Sequence, residues 1–261
     1  MSAAGRGARR GGSDDFYVTP HWAVDRLLEK WSPPIDGDFV EPCAGNGAIM
    51  RALRGRGLTW DRATAIECRA KEYDVLSGLF DTVKIGDFLA APELFLPEVV
   101  STIITNPPYI KAEEFIRAAR AKFPNATSAW LVRQGFLASE ERVQLWKDVG
   151  SPDVYVLPNR PSYTADGKTD ASDYCWIVLP KEPREHGQLV MLGSTPKEVR
   201  VAALLKVKKK RKKGIETALA ALEKQTTALA RQLVKTETAI AEIKKRLSKS
   251  GAKDRSEKGA A

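Results

Sequence analysis

The segment TIITNPPY, residues 102–109, joins an apolar, β-branched run to a stiff polar turn. The run predicts a buried strand, which places the turn at the carboxyl end of that strand, where open α/β sheets bind ligands. Pro107 and Pro108 fix φ and supply no N–H, so the carbonyls of the turn can accept hydrogen bonds from a ligand. With the side-chain acceptor of Asn106 and the flat ring of Tyr109, the turn suits a planar group that carries an NH₂. The alternative interpretation is a rigid strand-to-helix turn with an Asn cap and a buried Tyr.

Similar apolar runs on both sides of this segment predict a sheet. We predict seven strands, at residues 38–41, 63–66, 82–85, 102–105, 128–132, 153–157 and 174–179. Helical patterns between the first six strands indicate a doubly wound α/β sheet, with the last two strands joined as a hairpin.

A Gly-rich turn, Glu41-Pro42-Cys43-Ala44-Gly45-Asn46-Gly47, follows the first predicted strand and precedes a helix. Glycines let the backbone approach a ligand closely, and the start of a helix favours groups that accept from N–H. The turn lacks the third glycine of the G-x-G-x-x-G dinucleotide fingerprint. Glu41 at the strand end would also repel a pyrophosphate and instead favours a cationic ligand.

Acidic residues follow the second and third predicted strands. Glu67 can accept from both hydroxyls of a ribose, although a solvated carboxylate at a strand end would look the same. Asp87 can accept from an exocyclic amine while Phe88 or Leu89 packs on a purine, although a single Asp is common in turns.

Length and composition restrict the class of protein. The chain has 261 residues, 43% of them hydrophobic, which is enough for one large α/β domain and an appendage. Its three cysteines have no paired spacing, and together with two histidines they form no recognisable metal site. The sequence contains no apolar run long enough to span a bilayer and no apolar signal segment, so we expect a cytoplasmic protein without membrane association.

The net charge of +9 is concentrated near the C-terminus. Residues 204–261 contain 17 Lys/Arg and 6 Asp/Glu, so 17 − 6 = +11, whereas residues 1–203 contain 25 and 27, so 25 − 27 = −2. This distribution predicts that a polyanion is contacted mainly through the appendage. The candidate nucleic-acid contacts are Arg160, Lys168, Lys208, Lys209, Lys210, Arg211 and Lys212.

Composition and periodicity divide the chain into four parts. We predict a disordered basic N-terminus at 1–13, a globular domain at 14–193, a basic helix and coiled coil at 194–250, and a disordered tail at 251–261. Between Ile215 and Leu247, ten positions follow alternating steps of four and three residues, and eight of them are Ile or Leu. This heptad seam predicts self-association, most simply as a dimer. The alternative is a helix that packs back onto the globular domain.

The motifs together resemble those of the S-adenosylmethionine-dependent amino-methyltransferases, and most closely the small phage-type DNA adenine-N6 methyltransferases. The resemblance rests on Tyr17-Val18-Thr19-Pro20, the Gly-rich turn, Glu67, Asp87-Phe88 and Asn106-Pro107-Pro108-Tyr109. It covers roughly residues 14–180, with the cofactor motif before the catalytic motif. Arg160-Pro161-Ser162-Tyr163, together with Thr169-Asp170, is similar to a segment of the phage enzymes. It implies a Rossmann-like, seven-stranded class I methyltransferase sheet, with a methyltransferase domain at 14–193 and S-adenosylmethionine as cofactor. Larger members carry a long target-recognition region, for which this chain has only residues 159–173 and the C-terminal appendage.

The resemblance also implies a role for each matching residue. Those flanking the methionine part of the cofactor would be Tyr17, Thr19 and Pro20. Its main cradle would be formed by Glu41, Ala44, Gly45 and Gly47. Glu67 would bind the ribose, and Asp87 and Phe88 would bind the adenine. The catalytic residues would be Asn106, Pro107, Pro108 and Tyr109, with Tyr109 stacked on a flipped-out base.

Several substrates remain open at this point. Cytosine N4, an RNA base and a protein glutamine each present a planar NH₂ that an Asn-Pro-Pro-Tyr turn can bind. DNA is the expected partner, although a basic appendage fits RNA as well. A non-catalytic DNA-binding scaffold, with a methyltransferase-like body and a working coiled coil, is an alternative of a different class. Cofactor binding would distinguish the two classes, because a scaffold need not bind the cofactor.

Overall fold

Eight strands of the described residues form one mixed sheet. The computed structural model describes residues 17–90, 97, 99–162 and 171–257, without the side chains of residues 201–212, 234, 238, 241 and 243–257. The strands are β1 Asp38–Glu41, β2 Ala63–Glu67, β3 Thr82–Ile85, β4 Val100–Thr105, β5 Thr127–Arg133, β6 Asp153–Leu157, β7 Tyr174–Leu179 and β8 Leu189–Met191. Their order across the sheet is β3-β2-β1-β4-β5-β7-β6-β8. Strand β7 is antiparallel to both of its neighbours, and the other pairs are parallel.

The sheet has one strand more than the seven that the sequence predicts. The seven predicted strands are present, and β6 and β7 are antiparallel neighbours as the predicted hairpin requires. The additional strand, β8, pairs with β6 at the edge of the sheet. It has only three residues, of which Leu189 and Met191 are exposed. A strand this short does not show the alternation that identifies strands in a sequence.

Helices cover both faces of the sheet. They are α1 His21–Leu28, α2 Ala48–Gly55, α3 Tyr73–Ser77, α4 Ala112–Lys122 and α5 Val143–Val149; a sixth helix, α6 Lys197–Glu257, follows β8 in the chain. Successive residues of a strand point to opposite faces. Ile104 of β4 is accordingly buried in one core with residues of α1 and α2, and Ile103 in the other core with residues of α4. The central strands are apolar on both faces, which explains their continuous apolar runs.

The polar turns after β1 and β4 lie at the switch point of the sheet. These two strands are neighbours, with Val40 opposite Ile103, and the strand order runs away from them in both directions. Because parallel strands end at the same edge, Glu41 at the end of β1 and Asn106 after β4 emerge close together. Doubly wound sheets bind their ligands at this position.

The chain divides into two compact units, Met1–Leu204 and Leu205–Ala261, and α6 contributes to both. Six apolar residues of the predicted heptad seam are exposed: Ile215, Leu219, Leu222, Leu229, Leu233 and Ile240. The helix continues to Glu257, which corrects the predicted disorder of residues 251–257; a single glycine, Gly251, weakens a helix without ending it. The predicted disordered segment 1–13 and residues 258–261 lie outside the described residues. No described helix is both long and apolar enough to cross a membrane.

Candidate active site

A pocket of about 380 Å³ opens beside the carboxyl ends of the central strands. Most of the residues predicted for the cofactor or for catalysis line it: Tyr17, Thr19, Glu41, Ala44, Gly45, Glu67, Asp87, Phe88, Asn106 and Pro108. Four predicted residues are not among its lining residues: Pro20, Gly47, Pro107 and Tyr109. The structure thus brings the separate sequence motifs to one pocket, which we call the first pocket.

The Gly-rich turn is attached to the end of β2. The Gly45 N–H donates to Glu67 Oε2 at 2.7 Å. Gly47 precedes α2 with φ of +74°, and a Cβ atom there would lie 2.6 Å from Cδ1 of Leu79. Gly47 therefore allows the turn and the close packing behind it, rather than lining the pocket.

Glu41 places a buried carboxyl group in the first pocket. The residue is 1% exposed, and Oε2 has no hydrogen-bond partner among the described residues. Burial raises the pKa of Glu41 well above its usual value, the charge of Glu67 raises it further, and Arg51 opposes both effects. A cationic ligand would compensate this buried group most effectively.

Two other buried acceptors line the first pocket without a partner among the described residues. They are Asn46 Oδ1 and Asn106 Oδ1. Buried polar groups are normally hydrogen-bonded, so each such atom calls for a ligand donor. Together with Glu41 Oε2, these atoms favour a ligand that has N–H or O–H donors and positive charge.

The carboxylate of Glu67 is oriented by its neighbours. Arg69 donates to Oε1 from its backbone N–H at 3.0 Å and from Nε at 2.8 Å. Arg69 also pairs with Glu72 at 3.3 Å. Among the described residues, Oε2 accepts one bond, from the Gly45 N–H, and since a carboxylate oxygen has two lone pairs it can still accept from a ligand hydroxyl.

Asp87 and Phe88 lie in the turn after β3. Asp87 is exposed, and its Oδ1 accepts from the Leu89 N–H at 3.0 Å. The Phe88 ring is 1% exposed and stacks on Phe115 of α4 with the ring centroids 5.6 Å apart. The ring therefore belongs to the core, although the residue contributes to the pocket wall.

The side chain of Asn106 has a defined orientation. Its Nδ2 donates to the Tyr17 carbonyl at 3.3 Å and to Thr19 Oγ1 at 3.1 Å. Because the Tyr17 carbonyl can only accept, the amide nitrogen must face it and Oδ1 must point elsewhere. Oδ1 is the buried acceptor noted above, so the orientation of the amide leaves an acceptor for a ligand in the first pocket.

Among the described residues, two aromatic rings and one guanidinium lie against the ring of Tyr109. Tyr17 stacks on it with the centroids 5.4 Å apart, and Tyr174 lies at the same distance in a tilted arrangement. The guanidinium carbon of Arg133 lies over the ring, 5.0 Å from its centroid. Nε of Arg133 donates to the Tyr174 hydroxyl at 3.3 Å. An exposed cation–π contact of this kind contributes about 0.5–1 kcal/mol.

A second pocket, of about 260 Å³, adjoins Tyr109. Its wall includes Val132, Arg133, Phe136 and Arg142. The Asn-Pro-Pro-Tyr turn therefore borders two pockets, because Asn106 and Pro108 line the first and Tyr109 lines the second. Ile110, the next residue, lines both pockets and is 87% exposed.

The basic residues predicted to bind nucleic acid are only partly described. Arg160 is exposed, and its Nε donates to Asp173 Oδ1 at 2.7 Å across the loop between β6 and β7. Lys168 lies outside the described residues, as do the side chains of Lys208, Lys209, Lys210, Arg211 and Lys212. Within the described part of the chain, no group of three or more His, Cys, Asp or Glu residues could hold a metal ion.

The arrangement of strands is shared with methyltransferases of known structure. The methyltransferase subunit of a type I restriction-modification system from Streptococcus thermophilus superposes with a TM-score of 0.52 and 14% sequence identity, over 76% of this chain and 53% of that chain. This is a methyltransferase fold. The chain spans about half the length of the Streptococcus subunit.

Two other similar structures have lower TM-scores. A Listeria monocytogenes protein described as a class I S-adenosylmethionine-dependent methyltransferase has a TM-score of 0.49 and 15% identity, over 71% of this chain and 67% of that chain. The 23S rRNA methyltransferase ErmE has a TM-score of 0.47 and 17% identity, over 64% of this chain and 71% of that chain. No protein-family model and no curated protein sequence matches the chain.

Sequence reasoning missed two residues with a clear part in the first pocket. Asn46 was seen only as a member of the Gly-rich turn, and its unpartnered oxygen depends on burial that a sequence does not show. Arg69 follows Glu67 by two residues, a spacing that permits the observed donation back to the carboxylate. That spacing was the available signal for Arg69.

Proposed function

We propose that the protein is an S-adenosylmethionine-dependent methyltransferase whose substrate is the exocyclic N6 of adenine in DNA. The observation that carries this proposal is Asn106 Oδ1, a buried acceptor after the end of β4, whose orientation is fixed by the two hydrogen bonds that Nδ2 of the same amide donates. An aromatic amine presents two N–H donors, and an acceptor in this position binds one of them.

The first pocket fits S-adenosylmethionine by charge and by hydrogen-bonding capacity. Glu41 Oε2 and Asn46 Oδ1 would accept from the ammonium group, and Glu67 Oε2 would accept from a ribose hydroxyl. Asp87 would accept from the adenine amine. The volume of about 380 Å³ is within the range of about 300–1,000 Å³ for small-molecule sites. When bound, S-adenosylmethionine supplies an activated methyl group on a positively charged sulfur.

Asn106 and Pro107 would prepare the amine for attack. The lone pair of adenine N6 is delocalised into the ring, which makes the nitrogen a poor nucleophile. Asn106 Oδ1 and the Pro107 carbonyl would accept its two N–H groups and draw the nitrogen towards tetrahedral geometry, which localises the lone pair. Positive charge that develops on the nitrogen strengthens both hydrogen bonds, so they stabilise the transition state more than the ground state.

DNA is favoured by the motif resemblance and by the basic appendage. The lysine-rich stretch 206–213 would contact phosphates without reading sequence. Because duplex DNA hides N6 within the stack, the target base must be flipped out to reach Asn106. An RNA base is the second candidate, since the same stretch would contact the phosphates of either polymer.

We also propose that α6 joins two copies of the chain as a coiled coil. The exposed seam residues, from Ile215 at 69% to Ile240 at 53%, repeat at heptad spacing, and a second helix of the same kind would cover them. Thr226 and Thr236 interrupt this seam, but their hydroxyls donate to Leu222 and Leu233 carbonyls of the same helix at 2.7 Å. Both can therefore be buried in a dimer without losing a hydrogen bond, and they would restrict its register.

Incubation with methyl-labelled S-adenosylmethionine and separate pools of DNA, RNA and protein tests the activity. Mass spectrometry of the digested pools should find N6-methyldeoxyadenosine in DNA and no label elsewhere. Label on cytosine, RNA or glutamine would reassign the substrate. An absence of label in every pool, with no cofactor binding by calorimetry, would favour the scaffold over the enzyme.

A further inference from the structure

The ring of Tyr109, on which the proposed target base would stack, is covered in this structure. Of the three described side chains that lie against it, Tyr174 is fully buried in β7, and the Tyr17 carbonyl accepts a hydrogen bond from Asn106 in the wall of the first pocket. Arg133 is the last residue of β5 and is exposed. It is the one of the three that can move away without opening the core or the first pocket.

The guanidinium group of Arg133 resembles a nucleobase in its flat shape and its N–H donors. A guanidinium is planar, carries N–H donors and stacks on aromatic rings. Its contact with Tyr109 is an exposed cation–π interaction, which is weaker than the stacking of a nucleobase on an aromatic side chain. At the Tyr109 ring itself, a stacked base therefore gains more than the Arg133 guanidinium does.

The second pocket provides space next to this position. Besides Tyr109 and Arg133, its wall contains Phe136 and Arg142. The guanidinium carbon of Arg142 lies 4.4 Å from the centre of the Phe136 ring, and its Nε is buried without a hydrogen-bond partner among the described residues. Glu113 Oε2, at 3.9 Å from that Nε, is beyond hydrogen-bond distance. A buried donor in this wall suits the ring nitrogens or carbonyls of a base.

We propose that Arg133 holds the stacking position over Tyr109 until the target base enters the second pocket and displaces it. Arg133 is then a positioning residue that opposes base entry and so lowers the preference of the protein for strands that carry bases. The inference rests on the proposed function, because only a protein that acts on a base needs this position.

The test compares two single-stranded DNA oligomers of equal length, one made of adenine nucleotides and one abasic throughout. Their dissociation constants for the full-length protein are measured by fluorescence anisotropy with S-adenosylhomocysteine present. Arg133→Ala should raise the ratio of the abasic to the adenine dissociation constant by at least about two- to five-fold, the equivalent of one exposed cation–π contact. The control, Arg54→Ala, removes an exposed positive charge from the last turn of α2 and should leave the ratio unchanged.

Tyr174→Phe provides a second variant in case Arg133→Ala does not fold. It keeps the buried ring and removes the hydroxyl that accepts from Arg133, so the ratio should rise in the same direction by a smaller factor. A constant ratio in Arg133→Ala overturns the inference, because it would mean that Arg133 contacts phosphates, which affects both oligomers alike. A lower ratio also overturns it, because it would mean that Arg133 supports Tyr109 and that its loss weakens adenine binding. If that occurs while the wild type prefers the adenine oligomer, the proposed function stands. If the wild type does not distinguish the oligomers, the base site fails and the inference fails with it.

Discussion

Replacement of Asn106 by alanine is the most direct test of the catalytic proposal. The variant removes Oδ1, the acceptor assigned to the amine, together with the Nδ2 group that donates to Tyr17 and Thr19. Loss of one hydrogen bond that acts in the transition state lowers rates by about 10²-fold or more, which corresponds to about 2.7 kcal/mol. We expect a decrease of this size in the rate of methyl transfer.

The same substitution also lowers stability, and this effect must be separated from catalysis. Each of the two lost hydrogen bonds contributes about 0.5–1.5 kcal/mol, so the free energy of unfolding should decrease by about 1–3 kcal/mol. Thr19→Val is the matched control, because it removes the 3.1 Å bond and keeps Oδ1. It should lose about 1 kcal/mol of stability and less than about ten-fold in rate, since Asn106 still donates to the Tyr17 carbonyl.

Single-turnover kinetics with labelled cofactor measure the chemical step, while calorimetry measures cofactor affinity and thermal unfolding measures stability. Asn106→Ala should lose far more rate than Thr19→Val at comparable stability, with little change in cofactor affinity. Equal losses of rate in the two variants would show that Asn106 acts through its donor side, and wild-type turnover in Asn106→Ala would refute the catalytic assignment.

Three further predictions concern the first pocket and α6. Glu41→Gln should weaken cofactor binding but stabilise the cofactor-free protein, because the pKa of Glu41 is raised above its ordinary value of 4.5 and the folded state therefore binds a proton more tightly than the unfolded state. In thermal unfolding across pH, the stability of the wild type should fall as pH rises from about 4.5 through the folded pKa, and the stability of the variant should not. Glu67→Ala and Asp87→Ala should each weaken S-adenosylmethionine binding by about 1–3 kcal/mol in calorimetry, and unchanged affinities in both would mean that the pocket is misassigned. A chain that ends at Leu204 should stay folded, bind the cofactor and be monomeric in light scattering, and the slope of log K for DNA binding against log salt concentration should decrease by about 0.9 per lost phosphate contact. An unchanged assembly state and salt slope would exclude α6 from both dimerisation and DNA binding.

The framework of the sheet was predictable because its signals are local. Strands β1, β3, β6 and β7 have the predicted bounds, since each is a short run with β-branched or aromatic residues that is limited by turn residues. The Gly-rich turn and the Asn-Pro-Pro-Tyr turn could be placed at strand ends for the same reason. Strand β8 was missed because its pairing with β6, and not its own sequence, makes it a strand.

The detailed state of the site depends on contacts between distant parts of the chain. The orientation of Asn106 is set by Tyr17 and Thr19, which are 89 and 87 positions away. The burial of the Phe88 ring follows from its packing on Phe115 of α4, which the sequence does not reveal. The cation–π contact likewise joins Arg133 at the end of β5 to Tyr109 in the turn after β4.

Under the proposed function, the loop between β6 and β7 offers a route to new target specificities. Its ends are held together, because Leu157 and Tyr174 are directly paired, and Tyr174 is also paired with Arg133 at the edge of the sheet where Asn106 emerges. Doubling the length of a loop with closed ends costs only about 0.6 kcal/mol. Recognition segments grafted between Pro161 and Ser172 would therefore leave folding nearly unchanged. Under the proposed function, a set of such chimaeras would modify different DNA sequences from one shared cofactor site, so the hairpin would make the protein modular.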